Sequence, residues 1–176
     1  MIRAVICIAA LLASAQAGAA WRYEEIKDDV AGTTAYLLQA DSSIAVKGAD
    51  GKEHHPFIQL RCDEAGGEPY WRIHWFAIVE TKIDSTRSRG VVVDDIRMQV
   101  RVDGKPDYSE AWDMTRDASL EGVTTHRASA LAKRLRDASE VKMRISGGYG
   151  KSYDAAFDVS GLEAALPQLK GHCKRP

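Results

Sequence analysis

Apolar and polar residues alternate along most of this chain, and the commonest period is two, the signature of half-buried strands. Residues 22–27 and 33–40 predict a first hairpin, with Gly32 near its turn. Residues 41–56 are polar and glycine-bearing, and predict a loop. Residues 57–62 predict a strand with Ile58, Leu60 and Cys62 on one face and Gln59 and Arg61 on the other. Residues 64–69 hold Gly66, Gly67 and Pro69, hence a turn. A long strand over 70–80 would place Trp71, Ile73, Trp75, Ala77 and Val79 on one face, before a charged, mobile loop at 81–90. Residues 91–103 read as a strand with Ile96, Met98, Val100 and Val102 inward and Arg97, Gln99 and Arg101 outward. A turn at 103–106 leads to a short strand at 111–114.

The period then changes. Ala128, Leu131, Ala132, Leu135 and Ala138 recur at helical spacing and predict an amphipathic helix over 126–138. Strands follow at 140–146 and 153–159, on either side of Gly147 and Gly148. Ser160-Gly161-Leu162-Glu163 has the form of a capping box opening a last helix that carries Leu162, Ala165, Leu166 and Leu169, which Pro167 should shorten or kink. The expected fold class is α+β: a mostly antiparallel β-sheet with two late amphipathic helices.

The first twenty residues do not belong to this pattern. Arg3 precedes an uncharged apolar run at 4–13, too short to span a bilayer, and Ala15-Gln16-Ala17 and Ala17-Gly18-Ala19 both satisfy the A-x-A cleavage rule. Residues 1–20 therefore read as a signal peptide, 21–176 as a single exported domain, and the expected location is periplasmic or secreted. No later stretch reaches the length of a membrane-spanning helix. Lys plus Arg number 24 and Asp plus Glu 25, a near-neutral balance that argues against nucleic acid or an anionic membrane as the main partner. Beyond the leader only Cys62 and Cys173 remain, too far apart for a metal or redox motif. In an exported chain a disulfide between them is the expected reading, with two free buried thiols as the alternative.

An early Trp21, a strand ending in Leu60 and Cys62, a strand ending in Arg101-Val102-Asp103, and a tail with Phe157 to Leu162, Ala165, Leu166, Leu169 and Cys173 form a wider pattern. In it the chain resembles a group of small bacterial periplasmic proteins, among them the type VI secretion-associated accessory proteins of the TagO/VasI type. The resemblance covers most of residues 21–176 and is sharpest in the C-terminal strand, helix and cysteine. It implies fold, compartment and disulfide, and carries over no catalytic residue. The chain departs from the pattern at Pro167 and in the 81–90 insert.

Candidate chemistry is sparse. His54 and His55 are adjacent, so a metal site would need Asp50, Glu53 or His74 as further ligands, and a solvated loop is the plainer reading. His74 shares the polar face of its strand with Arg72, which predicts a surface or rim histidine. Asp94-Asp95 are strand neighbours pointing to opposite faces, unlike a catalytic carboxylate pair. Ser160 is taken by its cap, and Gly147-Gly148-Tyr149-Gly150 lacks the strand–loop–helix context of a phosphate cradle. Lys133, Arg134 and Arg136 make a basic helix face diluted by Asp137 and Glu140; Trp71 and Trp75 form core, or an aromatic shelf if their face is open. No catalytic, cofactor or metal site is assigned, and no enzyme activity is expected. The expectation is a binding or accessory protein acting on another envelope or secreted protein. The alternatives are an inhibitor or immunity protein presenting the 81–90 loop, and a small hydrolase built on His54, His55 and His74.

Overall fold

A computed structural model describes residues 21–48, 50–76, 95–116, 121–125, 128–146 and 152–174. The strands are β1 (Arg22–Asp28), β2 (Thr33–Asp41), β3 (Val46–Lys47), β4 (Glu53–His54), β5 (Phe57–Cys62), β6 (Tyr70–His74), β7 (Asp95–Val102), β8 (Tyr108–Arg116), β9 (Glu121–Thr125), β10 (Glu140–Ser146) and β11 (Ser152–Asp158). Helix α1 spans Ala128–Leu135, and α2 (Leu162–Ala165) runs into a 3₁₀ turn at Leu166–Gln168. Among the described residues one nine-stranded antiparallel sheet has the order β1-β2-β5-β6-β9-β8-β7-β10-β11, and β3 and β4 form a separate small hairpin.

Two local signals act as the pattern suggests. The β1–β2 turn is held by the Asp28 carboxylate, which accepts the Val30 and Ala31 N–H groups at 2.9 Å each, while Gly32 supplies a φ of 67°. Pro167 removes a helical N–H, and the last helix ends there as a single 3₁₀ turn.

The sheet curls until its two ends meet. Ser42, just past β2, bridges to Phe157 of β11; the Ser43 N–H donates to the Ala156 carbonyl at 2.8 Å, and the Trp21 indole donates to the Val159 carbonyl at 3.1 Å. Its concave side holds one apolar cluster that includes Leu60, Trp71, Ile73, Trp75, Met98, Val100, Val141 and Phe157. Leu131 and Leu135 of α1 join it, as do Leu162 and Leu169 from the C-terminal helix and turn. Trp21 meets Trp71 edge to face, with ring centroids 6.0 Å apart, a favoured aromatic geometry. Cys62 and Cys173 are disulfide-bonded, with Cα atoms 5.8 Å apart, so the end of the chain is fastened to β5. The fold is thus the expected mostly antiparallel α+β domain.

Several expectations need correction. The loop at 41–56 contains the β3–β4 hairpin. The short strand at 111–114 is the longer β8, and β9 follows it. The strand from Tyr70 ends at His74, and Phe76 takes a left-handed φ of 55°. Ser160 caps no helix: Gly161 holds the N-cap position with a φ of 77°, Ser160 donates to the Asp158 carboxylate at 2.6 Å, and Glu163 pairs with Arg136 at 2.8 Å. A carboxylate two residues upstream is the stronger acceptor and draws the hydroxyl away from the helix. Trp71 and Trp75 are fully buried, so their face is closed and forms no shelf. Residues 1–20, Ala77, Val79, the 81–90 loop, Asp94 and the 147–150 glycine stretch lie outside the described residues.

Candidate functional site

The histidines are placed by the β3–β4 hairpin. Gly51, with a φ of 79°, lets the chain reverse, and Gly48 leaves room for the pair beside it: a Cβ at Gly48 would stand 2.6 Å from the His54 ring and 2.9 Å from the Asp50 carboxylate and would push one of them aside. The Asp50 carboxylate bonds the His54 Nε2 at 2.9 Å and the Lys52 N–H at 3.0 Å. Those two bonds, His54 first, hold the Asp50 carboxyl below its usual range. His54 then stacks on Phe76 at 4.8 Å between centroids, Phe57 stacks on His74 at 4.4 Å, and the two phenylalanines meet edge-on at 5.7 Å. His54 and His74 therefore share one cluster, but each is seated against a phenylalanine. His55 leaves it, its Nδ1 lying 2.8 Å from the Ser42 carbonyl. His74 is 5% exposed, so the expected surface histidine is buried under aromatic neighbours. Among the described residues no three His, Cys, Asp or Glu side chains gather as a metal site. Asp95 sits in β7 opposite Asp113 of β8.

A second constellation lies on the convex side, where β7, β10 and β11 run together. Antiparallel register sets Lys142 beside Arg101, and Arg144 between Gln99 and Asp154. Arg144 grips Asp154 with two bonds, at 2.6 and 2.8 Å, and Arg101 grips Asp107 in the same forked manner at 2.6 and 3.1 Å. The guanidinium partners hold the Asp107 and Asp154 carboxyls below their usual range. Between these pairs opens a groove of about 190 Å³, with Ile44 at its margin. Ile44 is 40% exposed and is carried there by the segment that joins β2 to β11, where Ser42 Oγ accepts the Ala156 and Ile44 N–H groups. This arrangement offers an apolar contact point ringed by charges that are already ordered.

Alternation exposed part of this groove in advance, since Gln99 and Arg101 face outward as expected and Met98 and Val100 inward. The partners Asp107 and Asp154 and the edge residue Ile44 carry no local signal. Of the basic helix residues, Arg136 is drawn off by Glu163, whereas Lys133 and Arg134 turn toward the β7–β8 turn. No family model, curated protein or solved structure matches the chain.

Proposed function

We propose that this chain is an exported binding or accessory protein of the envelope that works by contact with another protein, through the convex groove beside Ile44. One observation carries the reading: an exposed apolar side chain and a shallow hollow are surrounded by two forked Arg–Asp pairs. At about 190 Å³ the hollow is smaller than the roughly 300–1,000 Å³ of small-molecule pockets. It suits a single anchoring side chain from a partner, with the fixed pairs as a polar rim. Rim charges already held in place lose little further freedom on association.

The disulfide supports an oxidising compartment, and among the described residues no helix is long and apolar enough to cross a membrane. Export is tested by intact mass on periplasmic material, where the chain should begin within residues 18–21. A species that still holds Arg3 and Cys7 would refute it. The contact surface is tested with a photo-crosslinking residue placed at Ile44 and, as control, at Lys27, at the opposite end of the β1–β2 hairpin. A discrete adduct from position 44 that disappears in an Arg144→Glu background supports the groove; equal labelling from both positions refutes it.

A further inference from the structure

A cleft separate from the groove lies between the C-terminal end of α1 and the β7–β8 turn. Its volume is about 490 Å³, within the roughly 300–1,000 Å³ of small-molecule sites. Asp103, Lys105 and Tyr108 form one wall, and Lys133, Arg134 and Asp137 the other.

The two walls are bolted together. Asp103 and Gly104 both take positive φ, 47° and 67°, and the Lys105 N–H closes on the Val102 carbonyl at 2.9 Å, giving a tight turn of the kind Asp-Gly favours. The Asp103 carboxylate then accepts the N–H groups of Ser139 and Glu140, both at 2.9 Å, where the chain leaves α1. The cleft is therefore preformed, and the Asp103 carboxylate is engaged in its construction.

Charge is distributed unevenly around it. Arg101, Arg136, Lys142 and Arg144 each have a carboxylate partner. Among the described residues Lys105, Lys133 and Arg134 have none within ion-pair distance; of the two carboxylates in the lining, Asp103 is taken up by backbone N–H groups and Asp137 forms no ion pair, with Glu110 close by. Arg134 lies over the Tyr108 ring, 4.1 Å from the centroid, which fixes the plane of its guanidinium. The Tyr108 hydroxyl is buried and makes no well-formed hydrogen bond. Burial, with the Glu110 carboxylate nearby, raises its pKa, so at neutral pH it remains a donor.

We propose that this cleft binds a carboxylate, taken by the Arg134 guanidinium and the Tyr108 hydroxyl and flanked by the ammonium groups of Lys105 and Lys133. A planar carboxylate matches the guanidinium fork, and it brings an acceptor to a buried donor that has none. The carboxylate could belong to a free organic acid or to the end of a peptide.

The test is an NMR titration of the full domain at fixed ionic strength, using acetate, N-acetylglycine and its neutral amide, N-acetylglycinamide. Saturable shifts confined to the amides around Lys105, Tyr108 and Arg134, given by the carboxylates and not by the amide, support the site. N-acetylglycine binding at least tenfold more tightly than acetate assigns the site to peptide ends, and equal affinity to free acids. Arg134→Lys keeps the charge but removes the fork, and should weaken binding about tenfold; Arg136→Leu, in the turn just past the helix, should leave it within about twofold. Equal shifts from the neutral amide, or equal losses in the two variants, would overturn the proposal.

Discussion

Replacing both Cys62 and Cys173 with alanine should cost this domain roughly 4–5 kcal/mol. The bridge joins residues 111 apart in sequence, and closing a loop of that length removes about 5 kcal/mol of unfolded-chain entropy at 25 °C in the loop-closure account. Against a typical total of about 5–15 kcal/mol, that is a large share. With a shift of about 2–4 °C per kcal/mol for domains of this size, the melting temperature should fall by about 8–20 °C. Alanine is preferred to serine because Cys62 is fully buried and a hydroxyl there would be stranded. Urea unfolding followed by tryptophan fluorescence separates two ways of losing the stability. If the bridge acts through the unfolded state, one transition moves to lower urea and steepens, because the uncrosslinked chain exposes more surface. If it acts by docking the tail, a separate early transition appears as Leu162, Ala165, Leu166 and Leu169 leave the core. A loss under about 1 kcal/mol would show that those four side chains hold the tail unaided and would refute the loop-closure reasoning.

Trp71→Ala should cost about 3–5 kcal/mol and erase most near-ultraviolet circular dichroism, since the fully buried ring also packs against Trp21. Asp103→Asn should be milder than Asp103→Ala, because asparagine tolerates the left-handed φ of 47° and still accepts a hydrogen bond. The Asp103 carboxyl is held low by the Glu140 and Ser139 N–H groups, so its contribution is complete above its unfolded pKa, near 4, and fades as pH falls through the depressed folded value; Asp103→Asn should flatten that acid limb in pH-dependent melting. Gly48→Ala should push the His54 ring off Asp50, seen as loss of their coupling in imidazole ¹⁵N spectra. Elemental analysis of the purified domain should find no stoichiometric zinc or iron; finding either would promote the hydrolase built on His54, His55 and His74.

What could be read from the chain divides by direction and by distance. The β1–β2 and β10–β11 hairpins were legible because alternation and a nearby turn are local signals, and both pair in simple register. The β3–β4 hairpin escaped because Val46 is the only buried side chain among its strand residues, so no alternation marks it. His74 was misplaced for a related reason. Alternation assigns a face but not what covers it, and Phe57, on the neighbouring strand, covers this one. The capping box failed because Ser160 had a choice of partners that only the turn's geometry decides.

The same division explains why the candidate sites stayed hidden while the core did not. The apolar members of the pattern that runs from Trp21 to the tail, namely Trp21, Leu60, Cys62, Phe157, Leu162, Ala165, Leu166, Leu169 and Cys173, all fall in the one buried cluster, whereas its polar members Arg101 and Asp103 lie outside it. The apolar part of such a pattern specifies how a sheet closes over its helices and says nothing of what the outward side chains meet. Those side chains acquire meaning only through pairing between segments: Arg101 meets Asp107 across a turn, Arg144 meets Asp154 across a hairpin, and Arg134 of α1 meets Tyr108 of β8. Two molecules could therefore share this core and differ in every one of these contacts. Exchanging Ile44, Arg144 and Arg134 should accordingly alter binding while leaving the fold's melting behaviour nearly unchanged, because each is a surface residue outside the cluster that closes the sheet.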